Sequence, residues 1–456
     1  MITKGEFYMK DEKLELMKND RIPKALWKIG MPTMVGMLVA SLYTLVDAYF
    51  VGGLGTAAMG AVSVSFPIGQ FVIGLGALFG SGAASYIARL FGEKNYEEAN
   101  KTASTALFSS LAAGSVLIIL SLVFLDQLLV QLGATKTILP YAREYAFIYI
   151  AGSIFNFFTV TVSNTITAEG ATRYSMVAQI TGGITNLILA PIMIYSLKWG
   201  IRGAAIATLI SMAVSCLLYM RYIILKMGTL RFHIKYVTFD RKIMKGILSV
   251  GVPVFVFQLL ASMAIALTNT AASHYGDNAV AAMGIVTRIL ALGFGVIYGF
   301  LRGFQPIAGY NYGASRFDRL QEAVKVSIRW TTWFSTISAI LLLVFAPQVM
   351  ALFSQDTAVI KMGSYALRIG AIPFISYGFV LVYAMLFLAL GKTLEGGIFT
   401  LSRQGVFFIP IICLLPGFLG MNGVIYAQPI ADILTFLLCA IFARNINKRL
   451  KAEMKV

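Results

Sequence analysis

Apolar runs, each near the roughly 20 residues that a helix needs to cross the hydrocarbon layer of a membrane, recur along the whole chain. About twelve can be marked, at 25–51, 57–88, 102–125, 138–164, 172–196, 200–225, 243–272, 279–308, 323–346, 359–389, 397–418 and 421–443. A soluble core cannot hide that much apolar side chain: of 456 residues 58% are hydrophobic and 12% charged, and the mean hydropathy is +0.79. Runs of this length exclude a barrel of alternating strands of about ten residues. The expected fold is an all-α integral membrane protein. The first run follows a long charged segment, exceeds a signal h-region and has no small-residue cleavage pattern after it, so it is expected to stay as an anchor.

The net charge of +17 invites a nucleic-acid partner, but position matters more than the total. Of the 37 Lys and Arg, 29 fall in the N-terminal segment, the even-numbered connections and the tail, against about 6 in the odd-numbered connections. That is the positive-inside bias, and it predicts a multi-pass protein of the inner (plasma) membrane with both termini cytoplasmic. The basic excess then reports topology rather than nucleic acid, and the stretch from Arg221 to Lys245 is expected to touch anionic headgroups of membrane lipids. Cys216, Cys413 and Cys439 fall in apolar runs and read as small hydrophobes. The two histidines, His233 and His274, make no metal-ligand cluster, and no GxxxxGK[ST] run is present to cradle a phosphate. No enzyme activity, metal or cofactor is expected, and energy must come from an ion gradient or a partner.

An internal repeat organises the chain. Ile29-Gly-Met-Pro32 is echoed by Val250-Gly-Val-Pro253, Ala40-Ser41 by Ala261-Ser262, Ala57-Ala-Met-Gly60 by Ala281-Ala-Met-Gly284, and Gly200-Ile-Arg-Gly203 by Gly420-Met-Asn-Gly423. Phe79, Gly82 and Gly92 likewise match Phe300, Gly303 and Gly313. Two six-helix lobes with the same orientation are parallel repeats related by a pseudo-two-fold axis along the membrane normal. The expected divisions are a cytoplasmic segment 1–24, a lobe 25–225, an inter-lobe loop 226–242, a second lobe 243–443 and a cytoplasmic tail 444–456.

Asp47 is the one charged residue between Ile29 and Ala88. An ionisable group at the middle of an apolar span costs roughly 2.5–3.5 kcal/mol on insertion scales, so it faces a wet cavity or carries a function. A carboxyl group in a partly dry cavity holds its proton more tightly than one in a wet cavity, so alternate opening would load and unload a proton. Tyr43 and Thr44, four and three residues before Asp47, share its helical face and can support it by hydrogen bonding. The competing reading places Asp47 near the outer interface, since 20 residues beyond Trp27 lie about 30 Å along a helix.

Several motifs together resemble the multidrug and toxic compound extrusion (MATE) family: the Gly-x-Pro opening of each half, "LVDAYFVGGLG", "FGSGAASYIARLFGEKNYEEA" with its counterpart "FLRGFQPIAGYNYGASRFDRL", and "WGIRGAAIAT". The resemblance implies a cation-driven efflux pump with a cavity between its lobes, closest to the branch related to the DNA-damage-inducible protein F, where coupling lies in the N-terminal lobe. Carried over, the coupling residues are Asp47, Asn186 in "NLILAP" and Thr208, but the second carboxylate of the branch pattern is Ala190 here. Residues 246–276 and 362–394 hold no Asp or Glu, so the carboxylate site of a related branch is absent. A sodium site needs several oxygens with compensating charge, whereas one carboxyl suits a proton; sodium stays the alternative ion.

Asn164, Asn156, Gln179, Gln70 and Gln258 are candidates to support the site or line the cavity, as are Met263, Met283 and Phe257, although amides also join helices and Met and Phe also fill cores. Arg288 either lines the second lobe's cavity or pairs with an acid such as Asp432, Arg302 approaches the cytoplasmic headgroups, and Glu169 and Glu395 read as solvated loop charges. The expected function is proton-coupled export of lipophilic, cationic small molecules by a monomer. A flippase for lipid-linked precursors is the alternative, although its cavity should carry several Arg or Lys for an anionic headgroup.

Overall fold

A computed structural model describes residues 16–54, 56–132, 134 and 136–453; within its helices the side chains of 40–49, 52, 56, 57, 59, 277, 393, 394, 400 and 449–453 lie outside the described residues. Among the described residues all regular structure is helical. The order is α1 (Ile22–Gly52), α2 (Thr56–Gly92), α3 (Tyr96–Val123), the short α4 (Leu125–Gln131), α5 (Leu139–Ala168), α6 (Thr172–Pro191) and α7 (Gly200–Ile224). After the inter-lobe loop follow α8 (Arg241–Ser273), α9 (Asp277–Gly313), α10 (Phe317–Ala351), α11 (Thr357–Phe374), α12 (Tyr377–Ala389), α13 (Thr393–Leu401), α14 (Phe408–Leu419) and α15 (Met421–Glu453). A π turn, Ile192–Ser196, extends α6, and another, Ser402–Val406, joins α13 to α14.

Helices are what a lipid-facing chain must form, because each backbone donor then meets an acceptor in its own segment. Ten described helices, counting each π-joined run once, are long and apolar enough to cross a membrane, and α11 with α12 forms an eleventh span bent by 52°. With α1, 31 residues long, these correspond one to one to the twelve apolar runs. The bend follows from Pro373, which has no N–H to donate and crowds the preceding turn, while the Ser376 hydroxyl caps its carbonyl at 2.7 Å.

The repeat is visible in the turns. Lys94 and Ser315 both take positive φ between the second and third helices of their lobes, and Gly170 and Gly391 both do so after the fourth span. Asn95 caps α3 by accepting from the Glu98 N–H, with Glu97 and Glu98 in the first turn to complement the helix dipole.

The apolar core is divided. One cluster draws on both lobes, from Ile22, Ile29, Leu78 and Phe91 to Ile247, Phe304 and Leu388. Three others belong each to a single lobe: Val51, Ala61, Leu129 and Ile194 in the first, Ala264, Met283, Val359 and Ile425 in the second, and a smaller one of Leu107, Val162 and Tyr219 in the first beside the inter-lobe loop. The lobes are therefore fused at the end that carries the inter-lobe loop and packed separately toward the other end. At the fused end α1 lies against α9 and α2 against α8. Glycine permits the approach: a Cβ on Gly82 would stand 2.1 Å from the Ile247 carbonyl oxygen, and one on Gly251 2.0 Å from that of Leu78.

The inter-lobe loop is bound to the first lobe. Glu169, 2% exposed, accepts from the Thr229 and Leu230 N–H groups at 2.7 and 3.0 Å and from the Tyr222 hydroxyl at 2.6 Å. The sequence reading of Glu169 as a solvated charge is thus corrected: three donors stabilise a buried carboxylate that would otherwise be strongly disfavoured. Asn100 accepts from the Arg231 N–H at 2.8 Å, and Thr105 exchanges two 3.1 Å hydrogen bonds with Thr238. Glu395 is half-buried.

Candidate functional site

In the first lobe a polar cluster lies between α5, α6 and α7. Asn186, 3% exposed, donates through Nδ2 to Thr208 Oγ1 at 3.2 Å, and the Thr208 hydroxyl donates to the Ala204 carbonyl at 3.0 Å. Two residues chosen from sequence, 22 apart, are brought together. Ala190, one turn beyond Asn186, is fully buried. Asn156 on α5 has a buried Oδ1 with no hydrogen-bond partner among the described residues. An acceptor in that state is unfavourable by about 1–3 kcal/mol unless a group outside the described side chains donates to it. α1 packs against α6, which brings the helix of Asp47 to this cluster; the side chains of Asp47, Tyr43 and Thr44 lie outside the described residues. Gln179 joins a separate group, donating to the Ser163 and Ser175 hydroxyls at 3.2 Å each.

The second lobe carries a charged cluster that the sequence reading missed. Arg403, in the π turn between α13 and α14, donates through Nε to Asp432 Oδ1 on α15 at 2.8 Å; the pair is 14% and 3% exposed. Gln428 donates to the same oxygen at 2.9 Å and the Tyr377 hydroxyl to Oδ2 at 2.6 Å. The Arg403 Nη2 reaches the Tyr377 oxygen, and the guanidinium lies 4.6 Å from the Tyr377 ring centroid and 5.4 Å from that of Phe294. Arg288 does not pair with Asp432: it is exposed and forms no ion pair among the described residues. Arg403, counted in sequence among the cytoplasmic charges, is buried in a span. The available signal was one Arg and one Asp in consecutive apolar runs, 17 residues before and 12 after the turn at Gly420, on neighbouring helices.

Where the lobes meet, each contributes an arginine to the other. Arg302 of α9 donates to Asn164 Oδ1 of α5 at 2.7 Å, not to a headgroup, while the Asn164 amide donates to the Val160 carbonyl at 2.7 Å. In the opposite direction, Arg89 of α2 donates to the Ala389 carbonyl at the end of α12 at 2.8 Å, beside a bond from Ser85 to the Leu388 carbonyl at 2.5 Å. Farther along the junction, Phe71 of α2 and Phe255 of α8 meet edge to face at 5.2 Å. Gln70 and Gln258, next to them in sequence, are half-buried, as is Phe257; Met263 is exposed. Met283 is 7% exposed inside the second lobe's own core, so it is not a cavity wall.

Comparison with known proteins now bears on this architecture. The MatE family model matches twice, over residues 32–192 and 253–414, one copy per lobe. The chain is 28% identical over 446 residues to the multidrug export protein MepA of Staphylococcus haemolyticus and 27% identical over 446 residues to that of Staphylococcus aureus (strain MRSA252), covering 98% of both chains in each case. Among solved structures it resembles, at TM-score 0.91 and 29% identity over 98% of this chain and 100% of the other, one described as the outward-facing conformation of a multidrug resistance MATE family transporter of the MOP superfamily. It matches to the same extent a MOP superfamily transporter from Pyrococcus furiosus described as having a binding pocket of reversed polarity. With the family model covering both repeats and the structural match running the length of the chain, this protein belongs to the MATE family of membrane transporters.

Proposed function

We propose that the protein exports lipophilic cations by proton-coupled antiport, with coupling in the first lobe. The observation that carries this reading is the first-lobe group: Asn186 and Thr208 bonded to each other, Asn156 Oδ1 without a partner among the described residues, and the helix of Asp47 packed on α6. A protonated Asp47 carboxyl can donate where an ionised one can only accept, so protonation changes how α1 sits against α6, the helix it packs on. The divided core supports alternating access, with the lobes closed at the loop-bearing end, which the positive-inside bias assigns to the cytoplasm, and parted at the other. In this reading the segment 226–242 is the linker, held on the first lobe so that the lobes rock about α8.

The adaptable walls suit flat lipophilic cations: Phe71 and Phe255 stand at the junction, and Met37 lies beside Arg302, its sulfur 3.8 Å from Nη1. A flippase for an anionic headgroup is disfavoured because, of Arg288, Arg302 and Arg403, two are committed elsewhere, Arg302 to Asn164 and Arg403 to Asp432, which leaves Arg288 alone of the three for such a headgroup. The test is uptake of ethidium into proteoliposomes under an imposed pH gradient and, separately, a sodium gradient. The expected result is transport with the pH gradient that disappears in Asp47→Asn. Transport with sodium alone, or undiminished in the variant, would overturn the assignment.

A further inference from the structure

The repeat relates the two buried clusters position by position. Asn156 and Tyr377 each stand 14 residues before the positive-φ glycine that closes their span, Gly170 and Gly391. Thr208 and Gln428 each stand five residues after the second glycine of the matched Gly-x-x-Gly runs, at Gly203 and Gly423. The clusters thus occupy equivalent places between the fourth, fifth and sixth spans of each lobe, but their chemistry differs. Among the described residues the first is neutral, and Asn156 Oδ1 has no hydrogen-bond partner. The second is charged and complete: both oxygens of Asp432 are bonded, Oδ1 by Arg403 and Gln428, Oδ2 by Tyr377. Across the matched first spans the acid is reversed, since Asp47 aligns with Thr268 at the offset set by Pro32 and Pro253.

We infer that Arg403 is a tethered counter-cation, filling in the second lobe the position beside a carboxylate that the coupling ion fills in the first, and so withdrawing Asp432 from the transport cycle. This rests on the first-lobe coupling proposed above. A guanidinium suits the part, because it stays charged, offers a fixed fork of donors and stacks on aromatic faces, here Tyr377 and Phe294. Its place in a π turn has a consequence, since the extra residue in that turn re-aims the side chain toward α15. Among the described residues, the groups bonded to Asp432 are Tyr377 from α12, Arg403 from the π turn and Gln428 from its own helix; α8, α10, α11, α13 and α14 bring no further charged or titratable side chain into hydrogen-bonding contact with it.

The test uses the full chain in proteoliposomes with tetraphenylphosphonium as probe, beside difference infrared spectra of the protonated-carboxyl band between about pH 5 and pH 9. Loss of proton-driven transport in Asp47→Asn is checked first, so that failure there counts against first-lobe coupling and not against the tethered cation. With Arg403 intact, Asp432→Asn is expected to remove no protonated-carboxyl signal. Arg403→Gln is expected to gain one that added Asp432→Asn abolishes, and Arg403→Lys to gain none. The charge-neutral pair Arg403→Gln with Asp432→Asn is expected to keep the wild-type number of protons per transported cation; should Arg403→Gln alone fail to fold, this pair decides. A protonated-carboxyl band assignable to Asp432 while Arg403 is present, or loss of proton coupling in the neutral pair, would overturn the inference.

Discussion

An amide oxygen without a donor is a poor choice for stability inside an apolar span, and among the described residues Asn156 Oδ1 is such an atom. If it exists to receive a donor in the transport cycle, Asn156→Leu should raise thermal stability in detergent, by about 1 kcal/mol, while lowering proton-driven transport. A purely structural amide would lose stability on the same change. Ala190 offers a second residue-scale prediction. It is fully buried one turn from Asn186, so Ala190→Asp adds a carboxylate to the first-lobe cluster. Two carboxylates and two neutral oxygens are what a sodium ion needs, and the variant should gain sodium-stimulated uptake that the wild type lacks. At this scale the sequence was uneven. Asn186 and Thr208 could be paired because a family pattern joins them, but no pattern joins Arg403 to Asp432, and Arg288 was the nearer-looking partner for an acid that periodicity alone cannot orient.

At the scale of elements, all twelve runs are helices or joined helix pairs because hydropathy and length report membrane crossing directly. What stayed illegible were the interruptions: the bend at Pro373 within a single apolar run, and the two π turns, which carry no compositional mark. The anchoring of the inter-lobe loop was illegible for a related reason. Its composition is that of a solvated basic linker, yet Glu169 and Asn100 hold its backbone to the first lobe. Glu169→Ala leaves two N–H groups and the Tyr222 hydroxyl without their acceptor. Hydrogen bonds to a charged group contribute roughly 1.5–3 kcal/mol each, so the variant should lower the thermal midpoint and expose residues 226–240 to protease, whereas Glu395→Ala should do neither.

For the whole molecule, the repeat was the most legible feature, but the junction does not follow it residue by residue: Arg302 to Asn164 and Arg89 to the Ala389 carbonyl both tie the lobes together from positions that the repeat does not match. Opening the fused end must break both. Asn164→Ala should therefore shift the lobes toward the opposite opening, read as a longer distance population between spin labels at the exposed Glu97 and Lys325; an unchanged distribution would remove the latch from the account. The central claim is that one carboxyl in one lobe exchanges a proton for a cation. It is tested most directly by adding tetraphenylphosphonium to the weakly buffered, solubilised protein and measuring the protons released. Release of about one proton per cation bound, absent in Asp47→Asn and retained in Asp432→Asn with Arg403→Gln, is the expected result; equal release from Asp47→Asn, or none from the wild type, would contradict it.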